Sequence, residues 1–426
     1  MSIEQLYKCF LECSSASTDT RKIAKNSMFF ALKGDHFNGN SFAEQALTLG
    51  AAYCVVDEKA FVVNERCLLV ANVLETLQQL AKHHRKQLNL PIIALTGSNG
   101  KTTTKELINA VLTTQFTTTA TLGNLNNHIG VPLTLLRMTK DTEIGIVEMG
   151  ANHQKEIEFL CNIALPDYGL ITNFGKAHLE GFGSIEGVIK GKSELYDHLK
   201  THQKTIFVNT NDAIQTKQVT DYTKVITFGN TSNKIKIELI ATQPFVSFRY
   251  NNTTIHSKLT GAYNFNNLSI AVAIGNYFKI KPQHIKFAIE SYNPTNNRSQ
   301  IIEKGKNTIL MDAYNANPTS MMAALENFEQ LVHKNKVLFL GDMFELGADA
   351  EKEHQAIVDF LQENPMGTIY LVGKNFFKTK VTTQKIQKFE HFEDLKQLLQ
   401  KTIFENAFML IKGSRGMALE RVLEFV

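Results

Sequence analysis

The stretch that most restricts what this chain can fold into is residues 92–112, where the apolar run IIALT (92–96) meets Gly97-Ser-Asn-Gly-Lys-Thr-Thr-Thr and then the helical pattern KELINAVL. Apolar and β-branched residues predict a buried strand, the later spacing predicts a helix, and two glycines permit the tight turn between them. Backbone N–H groups in such a turn, together with a helix N-terminus, can cradle phosphates. Lys101 can then reach the β- and γ-phosphates, and the Thr102 hydroxyl can ligate Mg²⁺. The pattern departs from the full phosphate-loop signature at Leu95, where a glycine is usual. A ligand-free glycine turn capped by Ser and Thr is the bland alternative, and the strand–turn–helix setting weighs against it.

Around this unit the strand candidates 144–149 (IGIVEM), 168–173 (YGLITN), 205–209 (TIFVN) and 224–228 (KVITF) alternate with helix-length segments. That alternation predicts a mostly parallel, doubly wound sheet. Alternating runs at 234–259, with Asn251-Asn252 as a turn, predict an antiparallel hairpin on its edge. The first 88 residues mix short strand-like runs with one helix, in which Val73, Leu74, Leu77, Leu80 and Ala81 keep helical spacing. After Pro294-Thr-Asn-Asn the pattern restarts with strands at 308–312, 337–341, 368–372 and 408–412 separated by helices. The expected organisation is three α/β domains: a small one over 1–88, a central phosphate-loop domain over 89–295, and a C-terminal Rossmann-like domain over 296–426. There is no internal repeat and no low-complexity tract.

Composition narrows the function classes. Lys and Arg number 45 against 41 Asp and Glu, a net charge of +4 with no basic block, so nucleic acid is not an expected partner. The five cysteines lack any Cys-x-x-Cys pair, which fits a reducing compartment better than a disulfide or zinc scaffold. No segment approaches the roughly 20 apolar residues of a membrane helix. A cytoplasmic protein without membrane insertion, acting as a monomer, is the expectation.

Two more residues stand at strand ends, where ligands of open parallel sheets bind. Glu148 ends IGIVEM and suits Mg²⁺, whereas His178, between Gly175 and Gly181, is a less usual ligand for so hard an ion. Taken alone, each reads more readily as an ordinary strand-end or loop side chain, and Lys192 in IKGKSELYDHL as a solvated lysine. The phosphate loop reverses the weighting for the first two.

Nine motifs then occur in the order seen in the Mur ligases: TGSNGKTTT, TLGNLNNHIGVPLTLL (121–136), EMGANH (148–153), ITNFGKAHLEGFGS (171–184), GKSEL (191–195), GAYNFNN (261–267), DAYNANPTSM (312–321), LGDMFELG (340–347) and IKGSRGM (411–417). With residues 17–46, which are similar to that family's nucleotide-sugar-binding start, the resemblance covers nearly the whole chain. It is nearest to the branch that adds D-alanyl-D-alanine.

The resemblance implies an ATP-dependent amide ligase of peptidoglycan precursor synthesis, in which a carboxylate attacks the γ-phosphate and an amine displaces phosphate from the acyl phosphate. It implies UDP-N-acetylmuramoyl-tripeptide and D-alanyl-D-alanine as substrates, and two Mg²⁺ ions. Gly97, Ser98, Asn99, Gly100, Lys101, Thr102 and Thr103 would hold phosphates. Thr102 and Glu148 would serve one Mg²⁺, and His178 with Lys192, carbamylated in this family, the second. A carbamate supplies the anionic oxygens that an ammonium lacks. Lys101, Glu148, His178 and Lys192 form the implied catalytic set. Asn264, Asn267 and Asn315 would meet the adenine end of ATP, with Arg298 and Asp312 at ribose or phosphate; the residues alone read as turn and cap chemistry.

By the same resemblance, Thr18, Asp19 and Arg21, with the backbone from Ala31 to Gly34, would bind the UDP end, and Asn124, Asn126 and Asn127 would face that substrate. NGN at 38–40 and QKE at 154–156 depart from the family's usual Asp-Gly-His and Gly-Glu. Lys412, Ser414 and Arg415 are expected at the dipeptide carboxylate, and Asp342 and Glu345 at its ammonium. Another Mur-type or folylpolyglutamate-type ligase and a non-catalytic phosphate-loop regulator are the rival readings. NLNNHIG and DAYNANP disfavour the first, and the lysine and histidine of the second metal site disfavour the other.

Overall fold

In a computed structural model of the chain, residues 1–230, 234–295 and 297–426 are described, and three principal sheets follow one another along the sequence. The junction expected at 295–296 ends on residue 296, which lies outside the described residues.

The first sheet has four short strands in the order Ala16–Ser17, Met28–Phe30, Tyr53–Val56, Cys67–Leu69, all parallel. The helix Val73–Leu88 follows it, beginning where the Asn72 side chain accepts from Glu75 N at 3.0 Å and ending at Asn89, whose φ of +49° is the left-handed stop that Asn tolerates. Its apolar stripe of Val73, Leu77, Leu80 and Ala81 does more than close the first unit. It packs on the helices Gly130–Leu136 and Glu156–Ala164 of the central unit, so one apolar core runs across both.

Buried Arg85 extends that joint: Nε donates to Ala164 O at 3.1 Å, and Nη2 to Leu165 O at 3.1 Å and Asp167 Oδ2 at 2.7 Å. These carbonyls end the helix Glu156–Ala164 and would otherwise lack partners, so a cation placed there meets both the orphan acceptors and the negative end of the helix dipole.

The central sheet has nine strands in the spatial order Thr253–His256, Ser247–Tyr250, Ile235–Ala241, Val225–Gly229, Thr205–Asn209, Tyr168–Ile171, Ile92–Thr96, Ile144–Glu148, Thr118–Ala120. Seven are parallel and two form the edge hairpin, where Asn251 at φ +46° and Asn252 at φ +59° take the two left-handed positions of a tight hairpin turn. From Ile92–Thr96 the chain goes first to one side of the sheet and then to the other. That reversal opens a crevice at the C-terminal end of this strand.

The C-terminal sheet runs Gln300–Lys304, Asn307–Asp312, Phe408–Lys412, Lys336–Gly341, Thr368–Val372, Ile386–Phe389, with only its first strand antiparallel. That edge strand escaped the sequence reading because QIIEK has polar ends and too short an apolar run to mark it. The segment GAYNFNN, legible by itself as turn chemistry, opens the helix Ala262–Tyr277 instead. Packed on the helix Lys101–Leu112 and beneath strands, it is apolar almost all round and shows no amphipathic period.

Arg85→Met should lower stability by about 2–3 kcal/mol through two orphaned carbonyls and a weakened partner for Asp167, read as a fall in Tm with the fold retained by circular dichroism.

Candidate active site

A cavity of 1080 Å³ lies where the C-terminal strand ends of the central sheet face the C-terminal unit. Its floor is the glycine loop. Gly97 sits at φ +144°, and a Cβ there would stand 2.0 Å from Thr172 Oγ1; Gly100 sits at φ +77°, where a Cβ would stand 2.4 Å from Asn267 Oδ1. Both positions therefore demand glycine on backbone and on space.

The loop is clamped from the next strand: Asn99 O accepts from Thr172 Oγ1 at 2.6 Å and Asn173 Nδ2 at 3.0 Å, and Ser98 Oγ exchanges bonds with Gly175. The helix Lys101–Leu112 starts at Gly100 without a side-chain cap, so its first N–H groups open on the cavity. Lys101 Nζ lies over the loop, donating to Gly97 O at 2.7 Å. Burial lowers the pKa of this ammonium, and Glu148 partly offsets the effect.

Glu148 is 1% exposed. Its Oε1 accepts from Asn126 Nδ2 at 2.8 Å and Thr102 Oγ1 at 3.2 Å, while Oε2 is buried without a hydrogen-bond partner. A buried anionic oxygen left this way is costly unless a cation meets it. The residues thus fit a Mg²⁺ ion, which takes one or two carboxylates and completes its shell with phosphate and water.

His178 starts the short helix Leu179–Phe182 at φ +54°, and its Nδ1 meets the Glu345 carboxylate of the C-terminal unit. Glu345 is in turn held below the usual carboxylate range, first by this bond. Lys192 is completely buried; its Nζ donates to Ala151 O at 2.9 Å and lies 4.9 Å from the centre of the Phe182 ring. Burial, with Lys101 adding to it, drives the Lys192 pKa far down.

From the helix Ala262–Tyr277, Asn267 Oδ1 accepts from Thr104 Oγ1 at 3.0 Å and its Nδ2 donates to Asn264 Oδ1 at 2.9 Å. Across the cavity Arg298 stacks on Tyr314 at 3.4 Å, and Asp312 Oδ2 accepts from Lys412 Nζ at 2.5 Å.

Of the residues expected here, the cavity brings together Ser98 to Thr103, Asn124, Asn126, Asn127, Glu148, His178, Asn264, Asn267, Arg298, Asp312, Asn315, Glu345 and Lys412. Gly97 lies beneath the loop, and Lys192 behind the wall formed by Ala151. Thr18, Asp19 and Arg21 stand apart on the first unit, where Arg21 holds the Asp19 carboxyl down to about 2. Asp342 is turned away from the cavity, accepting from Asn375 N and Phe376 N at 2.9 Å to hold the helix Lys374–Lys378. Arg415 pairs with Glu420, and Ser414 Oγ accepts from Phe344 N at 2.9 Å.

Sequence reading missed Asn317. Its Oδ1 caps the helix Pro318–Gln330, and its Nδ2 donates to Asn99 Oδ1 at 2.7 Å, tying the phosphate loop to the C-terminal unit. The Asn-Pro pair does mark a helix start. Nothing local marks a partner 218 residues away.

Models of three domains match the chain: "Mur ligase family, catalytic domain" over residues 13–85, "Mur ligase middle domain" over 95–275 and "Mur ligase, glutamate ligase domain" over 297–415. The UDP-N-acetylmuramoyl-tripeptide–D-alanyl-D-alanine ligase of Bacillus subtilis (strain 168) is 36% identical over 422 residues, covering 96% of this chain and 92% of that one. A crystal structure of MurF from Acinetobacter baumannii superposes with a TM-score of 0.85 at 29% identity, covering 99% and 98% of the two chains. MurF ligase from Thermotoga maritima in complex with ADP gives 0.83 at 26% identity, covering 98% and 97%.

Gly97→Ala should weaken ADP binding at least tenfold by calorimetry and cost about 1–3 kcal/mol in stability, because the added methyl meets Thr172 and the backbone is strained. Unchanged ADP affinity would mean that the loop does not hold the phosphates.

Proposed function

The chain belongs to the Mur ligase family, and from that membership we propose that it joins D-alanyl-D-alanine to UDP-N-acetylmuramoyl-tripeptide, with ATP converted to ADP and phosphate. It is an ATP-dependent, amide-bond-forming ligase. We place its reaction in the cytoplasmic stage of peptidoglycan precursor synthesis; among the described residues no helix is long and apolar enough to cross a membrane. The observation that carries the reading is the convergence on one cavity of the glycine loop, the half-satisfied Glu148 and side chains of the C-terminal unit, in a chain 36% identical to a ligase of that name.

In this reading the terminal carboxylate of the tripeptide attacks the γ-phosphorus of ATP, the bond to ADP breaks, and an acyl phosphate forms. The amine of the dipeptide then attacks the acyl carbon, a proton leaves its nitrogen, and phosphate departs. Lys101 and the open N–H groups of residues 100–103 hold the phosphates, and the charge they meet grows as the leaving oxygen develops. Thr102 and Glu148 would hold one Mg²⁺. His178 and a carbamate on Lys192 would hold a second. Bound there, Mg²⁺ would neutralise the anions that must approach one another.

The depressed pKa of Lys192 supports the modification, since the neutral amine is the form that adds to CO₂, with loss of a proton to give the carbamate. Asn264, Asn267 and Arg298 take the nucleoside end of ATP, and Lys412 is the expected dipeptide-carboxylate residue that lines the cavity. Asn124, Asn126 and Asn127 line the same cavity and would face the UDP-peptide.

Phosphate release from ATP should require both the UDP-muramoyl-tripeptide and D-alanyl-D-alanine; full turnover with free D-glutamate or a folate would overturn the reading. Lys192→Ala should lose about 10²-fold or more in kcat and recover part of it with added acetate, whereas Lys192→Arg should not recover, since guanidinium offers no acceptor. Full activity of Lys192→Ala would remove the carbamate from the account.

A further inference from the structure

His178 and Glu345 are non-glycine residues held at positive φ, +54° and +61°, on loops that belong to different units and face one another. Conformations of this kind persist only where surrounding structure enforces them. Here the enforcement is visible on both sides. Glu180 N donates to Glu345 O at 3.1 Å, so the two loops are joined through backbone as well as through the His178–Glu345 side-chain pair. A Cβ at Gly347 would lie 3.4 Å from Glu180, placing the rest of that loop against the same helix.

The loop is rigid from behind. Met343 N donates to His354 Nε2 at 3.0 Å, Phe344 N to Ser414 Oγ at 2.9 Å, and Ser414 N to Asp342 O at 3.1 Å. A second clasp lies beside it: Lys176 Nζ donates to the buried Glu353 carboxylate at 2.5 Å, and Lys176 N to Thr319 Oγ1 at 2.9 Å. Glu345 is therefore presented to His178 by the C-terminal unit as a fixed acceptor, and only while that unit is docked.

We propose that Glu345 is a positioning residue: by accepting from Nδ1–H it fixes the tautomer and ring orientation of His178, so that docking of the C-terminal unit is what readies this imidazole. Nε2 is then the bare nitrogen of a ring that lines the same cavity as Lys101 and Glu148. A carboxylate behind a histidine is the arrangement that makes the far nitrogen a better ligand for a cation and a better acceptor of a proton. The inference rests on the ligase reading of this cavity, and it goes beyond it by giving Glu345 a role toward the protein's own histidine rather than toward the dipeptide.

The test uses the full chain labelled with ¹⁵N-histidine, in wild type, Glu345→Gln and Glu345→Ala, with the His178 signals assigned by their loss in His178→Gln. In wild type with ADP, the proton should be on Nδ1 with Nε2 bare, and Glu345→Ala should lose that preference. In kinetics Glu345→Ala should lower kcat about 10–100-fold, the range seen when a group supporting a ligand is removed, with KM for ATP and dipeptide within about threefold and Tm unchanged. Glu345→Gln keeps an acceptor oxygen and should retain most of the wild-type kcat.

Protonation of Nε2 in the wild type, a kcat of Glu345→Ala within about twofold of wild type, or a rise in KM alone would each overturn the proposal. A wild-type protein that fails to turn over the two substrates would refute the ligase reading instead, and the nitrogen spectra would still decide the role of Glu345.

Discussion

The floor of the cavity depends on three neighbouring parallel strands of the central sheet ending at the same edge. Ile92–Thr96 delivers the glycine loop, Ile144–Glu148 delivers a carboxylate, and Tyr168–Ile171 leads into the segment that clamps the loop and carries His178. Parallel pairing makes this convergence automatic, because the loops after the strands emerge on one side. The close approach of Gly97 to Thr172 is where that register is felt most strongly: a side chain at 97 would push the phosphate loop off the strand that shapes it.

Apolar packing and polar contacts together join the three units. Between the first and central units, the helix Val73–Leu88 shares an apolar core and buries Arg85, which suits a fixed joint. The same apolar core continues into the C-terminal unit through residues such as Ala316, Met321 and Met343, and polar links to the cavity loops are added to it: Asn317 on Asn99, Thr319 and Glu353 on Lys176, Glu345 on His178 and on Glu180 N. A neutral hydrogen bond of this kind is worth about 1 kcal/mol net, and one to a charged group about 1.5–3 kcal/mol.

Much of this was legible in the sequence. The glycine loop between a strand and a helix, the strands at 144, 168 and 205, and the Asn251-Asn252 hairpin all announce themselves through periodicity and turn chemistry. The helix Ala262–Tyr277 did not, because a helix buried all round has no polar face to reveal its period. Residues that work through distant partners were equally silent. Asn317 went unread, since nothing local shows Asn99 beside it, and Asp342, expected at the dipeptide ammonium, is seen only in the structure to hold another helix. The burial of Lys192 was hidden in a segment whose charges suggest a solvated face.

In the proposed reaction a substrate carboxylate, activated by phosphoryl transfer in this cavity, becomes the new amide. That reaction is tested most directly by following oxygen. UDP-muramoyl-tripeptide labelled with ¹⁸O in its terminal carboxylate is turned over with ATP and D-alanyl-D-alanine, and the released phosphate is analysed by mass spectrometry. One ¹⁸O should be carried into each phosphate formed with product. Phosphate free of label, with amide formed at the same rate, would show that the carboxylate is never phosphorylated and would contradict the proposed reaction.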